Sequence, residues 1–306
     1  MRALVTGTEG FVGSHLVEHL LESGDEVWGT IYEKNNTDRL ERVVDQITLR
    51  IGDLANPDFI RSILQSVNID VIYHLGGMTF VPSANENPVE AFRINLMGSI
   101  YLLEAVRRIS PRIKVLIVSS AEVYGSIKPE NLPVNETHPL CPKNITAASK
   151  AALEQAVRPY IQLHDLQAII ARPFNHTGAR QDTNFVCPSF AEQISVVEHL
   201  QHPVIRVGDI DVIRDFSDVR DIVRAYRLLI QKGTVGEIYN VASGVGRSIR
   251  DVLSTLLNLA RLNVEIVVDP LHMRKIEVRE LYGDITKIKT EDRKSTRLNS
   301  SHESPS

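Results

Sequence analysis

A glycine-rich turn near the start of the chain decides the fold: Thr6-Gly7-Thr8-Glu9-Gly10-Phe11-Val12-Gly13. An apolar run at residues 3–5 precedes the turn, and a segment with helical spacing of apolar residues follows it. Glycines at this G-x-x-G-x-x-G spacing allow a tight turn, a close approach of backbone to phosphate, and close packing of helix on strand. The free N–H groups at the helix start attract phosphate oxygens. The turn therefore predicts a site for the diphosphate of a dinucleotide.

Short apolar runs alternate with longer helical patterns in the first part of the chain. Strands are predicted at 2–5, 26–30, 47–51, 71–74, 115–119 and 168–172, and helices at 13–23, 58–66, 89–108 and 146–164. Such alternation builds a parallel sheet with helices on both faces. We predict an α/β fold, a Rossmann-type doubly wound parallel sheet with a smaller C-terminal α/β substrate lobe. The predicted boundaries are 1–172 for the dinucleotide-binding domain, to which later segments return, and 173–292 for the mainly substrate-binding lobe.

Composition excludes several classes of protein. The 306 residues carry a net charge of -4 without a basic run, so we predict no nucleic-acid partner. No apolar run is long enough to cross a bilayer, so we predict no membrane partner and a cytoplasmic location. Cys141 and Cys187 form neither a disulfide framework nor a zinc pattern, which predicts ordinary thiols and no metal. Residues 293–306 are polar and aperiodic, which predicts a disordered, non-native tail.

Further motifs follow the predicted strands in order: Gly52-Asp53-Leu54, His74-Leu75-Gly76-Gly77 and Asn95-Leu96-Met97-Gly98. Together with the turn, this series resembles extended short-chain dehydrogenases of the NAD-dependent epimerase/dehydratase family. The resemblance implies that Asp53 contacts the adenine amine and that small residues after the fourth strand lie beside the cofactor. It also implies that Asn95 supports the active site.

The implied cofactor is NADP or NAD. Glu33, just past the second predicted strand, could bind the ribose hydroxyls of NAD, whereas Lys34 or Arg39 could meet a 2′-phosphate. On this basis the sequence favours NADP. The residues expected to bind the cofactor are Gly7, Gly10, Phe11, Val12, Gly13, Tyr32, Asp53, Leu54, Leu75, Gly76, Gly77, Lys150 and Arg172.

The reaction centre departs from the family pattern. Lys150 fits the lysine of the motif Tyr-x-x-x-Lys, but Thr146 stands at the tyrosine position. The spacing puts both side chains on one face of a helix. In the family the lysine holds the nicotinamide ribose and lowers the pKa of the tyrosine, which then exchanges a proton with the substrate. A threonine hydroxyl is shorter and far less acidic than a phenol, whose pKa is about 10.

The stretch at 119–125 supplies two more candidates. By the resemblance, Ser120 donates a hydrogen bond to the reacting sugar oxygen, and Glu122 lies where the 4,6-dehydratases have the acid that takes a proton from carbon 5. The alternative for Glu122 is a structural turn residue. The predicted catalytic residues are Ser120, Glu122, Thr146 and Lys150.

The second half of the chain contains the motifs Asn175-His176-Thr177-Gly178, Arg214-Asp215-Phe216-Ser217 and Gly236-Glu237-Ile238-Tyr239-Asn240. These motifs resemble those of sugar-nucleotide enzymes, with the GDP-4-dehydro-6-deoxy-D-mannose reductases nearest and the GDP-mannose 4,6-dehydratases next. The resemblance implies that Asn175 contacts the sugar diphosphate and that the backbone near Val186 lines the nucleobase pocket. It gives Arg214 and Arg274 the role of diphosphate clamps, which suits a planar, permanently charged guanidinium. The alternative for each arginine is an ordinary ion pair.

These observations predict an NAD(P)-dependent reductase that converts GDP-4-dehydro-6-deoxy-D-mannose to a GDP-6-deoxyhexose of the GDP-rhamnose type. One alternative is a GDP-mannose 4,6-dehydratase or a sugar-nucleotide epimerase. A second is a cofactor-binding protein whose catalysis is impaired by Thr146. The resemblance also implies a homodimer, held by a four-helix bundle of the helices at 89–108 and 146–164.

Overall fold

The computed structural model describes residues 1–33, 37–200, 202–273 and 278–291. The strands are β1 (Arg2–Thr6), β2 (Glu26–Ile31), β3 (Thr48–Ile51), β4 (Val71–His74), β5 (Lys114–Val118), β6 (Ala168–Pro173), β7 (Asn175–Thr177), β8 (Val204–Val207), β9 (Ile213–Asp218), β10 (Ile238–Val241), β11 (Gly246–Ser248), β12 (Glu265–Val268) and β13 (Glu280–Leu281). The α-helices are α1 (Phe11–Glu22), α2 (Pro57–Ser66), α3 (Val81–Glu86), α4 (Pro88–Phe92), α5 (Ser99–Ile109), α6 (Ile145–His164), α7 (Val186–Val197), α8 (Val219–Lys232) and α9 (Ile249–Ala260). The predicted tail at 293–306 lies outside the described residues.

A parallel sheet with the strand order β10-β6-β5-β4-β1-β2-β3 forms the centre of the fold. The chain runs outward from β1 in both directions, so its topological switch point lies between β1 and β4. Ligands of open α/β sheets bind at the carboxyl ends of the strands at such a point. The sheet confirms the predicted Rossmann-type α/β fold.

Apolar side chains cover both faces of the sheet. On one face α1 and α8 bury residues such as Leu16, Leu20 and Tyr226 against the strands. On the other face α2, α5 and α6 bury residues such as Ile60 and Leu153. Because both faces are covered, strands such as β4 and β6 are fully buried and lack polar alternation.

The second half of the chain is more regular than its sequence indicates. Residues 173–212 read as mostly loop with one helix, but they contain β7, α7 and β8. β7 pairs in parallel with β9, and β8 with β12, in small sheets outside the central one. These strands have three or four residues, too few for a period to be recognised. β10 returns to the large sheet, where it pairs with β6. The division into domains at 172/173 stays a prediction.

The helix predicted at 89–108 has a break that matters for the site. It consists of α4, a π-helical turn over Arg93–Gly98, and α5. The wider turn carries Asn95, whose side chain is fully buried. π-helical turns inside α-helices occur often at functional sites. No helix among the described residues is long and apolar enough to cross a membrane.

Candidate active site

The glycine turn has the tight geometry that its spacing predicts. Gly7 has a φ of +72°, in the left-handed region that favours glycine. A Cβ at Gly13 would lie 2.1 Å from the carbonyl oxygen of Gly7, so α1 packs directly on the turn. Gly10 is the N-cap of α1 and has no side chain to cap its first N–H groups. This cradle fits a diphosphate, because the exposed helix N-terminus provides the donors and the positive end of the dipole.

The ends of β3 and β4 form a narrow floor beside the turn. A Cβ on Gly76 would lie 2.3 Å from the Leu54 side chain, and one on Gly77 would lie 2.7 Å from Asn95 Oδ1. The backbone N–H of Gly76 donates to Thr6 Oγ1 at 3.0 Å. Glycine avoids these contacts, so the backbone after β4 packs closely against Leu54 and Asn95.

His74 lies beneath this floor, and sequence reasoning gave it no role. Its ring bridges Thr6 Oγ1 and Ser99 Oγ at 2.9 and 2.7 Å. Burial lowers the pKa of His74 to about 3, so the ring is neutral at physiological pH. His74 therefore links the end of β1 to α5 through two hydrogen bonds as a neutral ring.

Lys150 lies within the same site. Its Nζ donates to the carbonyl oxygen of Val118 at 2.7 Å and would be 3.5 Å from a Cβ on Gly77. Burial lowers the pKa of Lys150 to about 8, and the charge of Glu154 opposes that shift. The ammonium therefore stands beside the glycine floor with part of its hydrogen-bonding capacity unused.

A hydrogen-bonded network fixes the helix that carries Lys150. The Asn95 amide donates to Ser149 Oγ at 2.9 Å and to the carbonyl oxygen of Met78 at 3.0 Å. Asn95 Oδ1 accepts the N–H of Met78 at 2.7 Å. The amide thus links the loop after β4 to α6, the supporting position expected for Asn95.

Thr146 has an unusual environment for a hydroxyl. It is buried in the first turn of α6, and its Oγ1 has no hydrogen-bond partner among the described residues. A buried hydroxyl without a partner costs about 1–3 kcal/mol. The atom lies one helical turn before Lys150 on the same face, so it marks a position where a ligand oxygen or water can bind.

Glu122 is connected to the same turn of α6 through Asn144. Asn144 Nδ2 donates to Glu122 Oε2 at 3.1 Å, and Asn144 Oδ1 accepts the N–H of Ala147 at 2.8 Å as the N-cap of α6. Ser120 caps the short helical turn Ala121–Tyr124 by accepting the N–H of Glu122 at 3.2 Å. Sequence reasoning missed Asn144, although an Asn directly before an apolar helical pattern is an N-cap signal.

Arg172, one of the predicted cofactor residues, is paired with an acidic side chain in the core. Its guanidinium is 1% exposed and forms a fork with Glu154, with N–O distances of 3.0 and 2.6 Å. Its Nη1 donates to the Tyr124 hydroxyl at 2.9 Å. The side chain is therefore enclosed in the core as part of an ion pair, and its contact with the cofactor stays a prediction. Sequence reasoning did not anticipate the partner, because Glu154 lies on a different element.

The remaining cofactor candidates lie around the turn with varied exposure. Asp53 accepts hydrogen bonds from Arg93 Nη1 and the N–H of Ala55 at 2.7 and 2.8 Å, and it keeps partial exposure. Tyr32 is 58% exposed just past β2. Phe11, Val12 and Leu75 are half-buried, and Leu54 is buried against the floor. Lys34 lies outside the described residues.

The described candidates for substrate binding, Asn175, Val186 and Arg214, lie outside the central sheet. Asn175 opens β7 and pairs with Phe216 of β9. Arg214 lies on β9 as well, two positions before Phe216. Arg214 is buried, and its Nη1 donates to the carbonyl oxygen of Ile213 at 2.9 Å. Val186 opens α7. Arg274 lies outside the described residues. The described residues include no group of three or more His, Cys, Asp or Glu side chains that could hold a metal ion.

Comparison with known proteins identifies the family. The sequence model of the family described as GDP-mannose 4,6 dehydratase matches residues 4–292. The chain belongs to this family. It is similar to a GDP-6-deoxy-D-mannose reductase from Pseudomonas aeruginosa, with 36% identity over 92% of this chain and 88% of the relative. The family resemblance predicted from the motifs is thus confirmed.

Solved structures agree with this family assignment. RMD from Pseudomonas aeruginosa, complexed with NADPH, superposes with a TM-score of 0.80 at 33% identity, covering 95% of this chain and 91% of that one. UDP-glucose 4-epimerase of Thermus thermophilus, complexed with NAD, gives a TM-score of 0.83 at 29% identity, covering 95% and 93%. This family member therefore has the same fold as enzymes solved with either dinucleotide.

Proposed function

We propose that the chain is an NAD(P)-dependent sugar-nucleotide reductase that converts GDP-4-dehydro-6-deoxy-D-mannose to a GDP-6-deoxyhexose of the GDP-rhamnose type. One observation carries the proposal: the buried ammonium of Lys150 lies beside the glycine floor at Gly77, at the switch point of the sheet. The 36% identity to a GDP-6-deoxy-D-mannose reductase supports the choice of substrate. The cofactor is NADP or NAD.

The residues around the floor divide the work of binding. A bound nicotinamide dinucleotide supplies the hydride. The turn from Gly7 to Gly13 holds its diphosphate, and Lys150 holds the nicotinamide ribose through N–H groups that Val118 leaves free. Asp53 and Leu54 border the adenine end.

On the substrate side, Ser120 and Thr146 hold the sugar oxygen by hydrogen bonds, with Glu122 next to them through Asn144. Asn175, Arg214, Arg274 and the backbone near Val186 bind the GDP portion. The Thr146 hydroxyl can orient the keto oxygen, but it is a poor acid, so proton delivery limits the rate.

The proposal is tested with purified protein, chemically or enzymatically prepared GDP-4-keto-6-deoxymannose and each reduced cofactor in turn. Oxidation of the nicotinamide in proportion to a GDP-6-deoxyhexose product, identified by chromatography and mass spectrometry, is the expected result. Conversion of GDP-mannose to the keto sugar with no net change in cofactor would overturn the reductase assignment. So would cofactor binding with no product from any substrate.

A 4,6-dehydratase is the second candidate, and Glu122 favours it. Dehydration needs a carboxylate that takes a proton from carbon 5. Glu122 is only half-buried, and its Oε2 accepts a single hydrogen bond among those described, from Asn144. A carboxylate can accept about four hydrogen bonds, so Glu122 keeps capacity for a substrate group. The family to which the chain belongs is named for this activity.

The protein is proposed to act as a homodimer through a four-helix bundle that joins α4–α5 and α6 to their copies. Met97, in the π-helical turn between α4 and α5, is an apolar side chain that is 37% exposed and would be covered in such a bundle. Light scattering after gel filtration should give the mass of a dimer. Met97→Glu should shift it towards the monomer, because a charge would be buried.

Leu259→Glu is the matched control, since Leu259 is exposed on α9, a helix that is not part of the proposed bundle. This variant should keep the dimer mass. A monomeric wild-type protein, or two variants with equal effects, would contradict the bundle. The proposal also includes a cytoplasmic location, where unpaired thiols such as Cys141 and Cys187 are usual.

A further inference from the structure

Glu9 lies inside the glycine turn and reaches over to the second strand. Its Oε1 accepts the backbone N–H of Tyr32 at 2.9 Å, directly past the end of β2. Thr8 fixes this arrangement, because its N–H and its hydroxyl both donate to the carbonyl oxygen of Thr30 at 3.1 and 3.0 Å. The carboxylate of Glu9 is therefore held at the end of β2 although it belongs to the loop after β1.

The second oxygen of Glu9 is left without a hydrogen bond from the described part of the chain. Oε2 is enclosed and has no partner among those residues, although Glu9 as a whole is only half-buried. Burial raises the pKa of Glu9, and the hydrogen bond from Tyr32 opposes the shift. A carboxylate accepts hydrogen bonds at both oxygens, so Oε2 keeps acceptor capacity for a ligand donor.

The end of the second strand is the place where Rossmann folds bind the adenosine ribose. An acidic side chain there accepts the hydroxyls of NAD, whereas an arginine accommodates the 2′-phosphate of NADP. The acid usually comes from the strand itself, but here β2 is followed by Tyr32 and the exposed Glu33. Glu9 brings a carboxylate to the same place from the turn.

Two arginines near the turn, Arg39 and Arg180, have hydrogen-bond partners other than the carboxylate of Glu9. Arg39 Nε donates to the carbonyl oxygen of Arg180 at 2.8 Å, and Arg39 Nη1 approaches the backbone carbonyl of Glu9 at 3.4 Å. Arg180 forms a fork with Glu18, with both N–O distances at 2.6 Å. Arg39 thus braces the backbone of the turn, and Arg180 is neutralised by its own partner.

We propose that Glu9 makes the chain selective for NAD over NADP by accepting the adenosine ribose hydroxyls and repelling a 2′-phosphate. This inference rests on the cofactor site of the proposed function. It reverses the preference for NADP that Lys34 and Arg39 gave from sequence, because Glu9 brings a negative charge to the end of β2, where Rossmann folds accommodate a 2′-phosphate. A phosphate monoester adds a charge of about -1.5 to -2 at pH 7, so the repulsion acts on NADP alone.

The test measures binding of NADH and NADPH without substrate, by calorimetry and by the fluorescence of the reduced nicotinamide. The wild-type protein should bind NADH at least about tenfold more tightly than NADPH, since a hydrogen bond to a charged group contributes about that factor. Glu9→Gln keeps an oxygen for the Tyr32 N–H but removes the charge. It should weaken NADH binding about tenfold and reduce the affinity ratio by at least the same factor.

Glu22→Gln is the matched control, because it removes an exposed carboxylate at the end of α1 that lies away from the glycine turn. Its affinity ratio should stay within about twofold of wild type. Glu9→Ser serves as a second variant, with thermal unfolding of the cofactor-free protein as a check on folding; it should lower the ratio in the same direction.

Two results would overturn the role of Glu9: a wild-type preference for NADPH, or an unchanged ratio in folded Glu9 variants. A wild-type protein that binds neither cofactor would overturn the dinucleotide site itself, and the selectivity with it. Selective NADH binding without turnover would support Glu9 while contradicting the reductase, so the two proposals fail separately.

Discussion

Replacing Thr146 with tyrosine should raise kcat for keto-sugar reduction by about a hundred- to ten-thousandfold, the usual contribution of a positioned acid. Residue 146 lies one helical turn before Lys150 on the same face of α6. A phenol there would stand near the Lys150 ammonium, which lowers its pKa from about 10 towards neutrality. Because the unpartnered Thr146 Oγ1 already marks a ligand position, the longer side chain would direct its hydroxyl to the reacting oxygen.

The measurement is kcat and KM for Thr146→Tyr beside Thr146→Phe, with cofactor affinity as a check on the site. Phenylalanine adds the same ring without the hydroxyl, so it should give no gain in kcat. A gain in the tyrosine variant that disappears as rising pH deprotonates the phenol would identify the acid. Equal activity of the two variants, or a tyrosine variant no faster than wild type, would show that Thr146 and Lys150 do not form the dyad.

Local spacing made much of the site predictable. The glycine turn, the small residues after β4 and the four-residue interval from Thr146 to Lys150 are each contained in a few consecutive positions. Backbone geometry at such places follows from local sterics, because glycine adopts the φ of Gly7 without strain and only glycine accommodates the contact between Gly13 and the Gly7 carbonyl. A pattern of that kind can be recognised without knowledge of the tertiary structure.

The features that sequence reasoning missed depend on partners distant in the chain. The sequence alone assigns no role to Glu9, and the position of its carboxylate follows only from the hydrogen bond that the N–H of Tyr32 donates to it. Asn144 gains its importance from Glu122, which precedes α6 by a long loop. The π-helical turn around Asn95 is too short for the spacing of its apolar residues to differ recognisably from that of an α-helix. For Glu9 and Asn144 the decisive contact joins two elements, and no local pattern encodes it.

Arg172 provides the second large effect that we expect: Arg172→Met should lower the free energy of unfolding by about 3–5 kcal/mol. The Glu154 side chain is 0% exposed, and the substitution would leave its carboxylate without the Arg172 guanidinium. It would also remove the donor to the Tyr124 hydroxyl, whose own proton goes to Asn240 Oδ1 at 2.7 Å. An unpaired buried charge costs much more than the lost attraction alone, which sets the size of the effect.

Urea denaturation followed by circular dichroism measures this change, and Arg224→Met is the matched control. Arg224 pairs with Asp221 on the exposed side of α8, where solvent screens the charges. The urea midpoint of Arg224→Met should therefore stay near that of wild type. The double variant Arg172→Met with Glu154→Leu should recover much of the loss, since both charges leave the core together. Folded Arg172→Met should still bind NADH with wild-type affinity. A large loss of affinity at unchanged stability would place Arg172 in the cofactor site and contradict its role as a core ion pair.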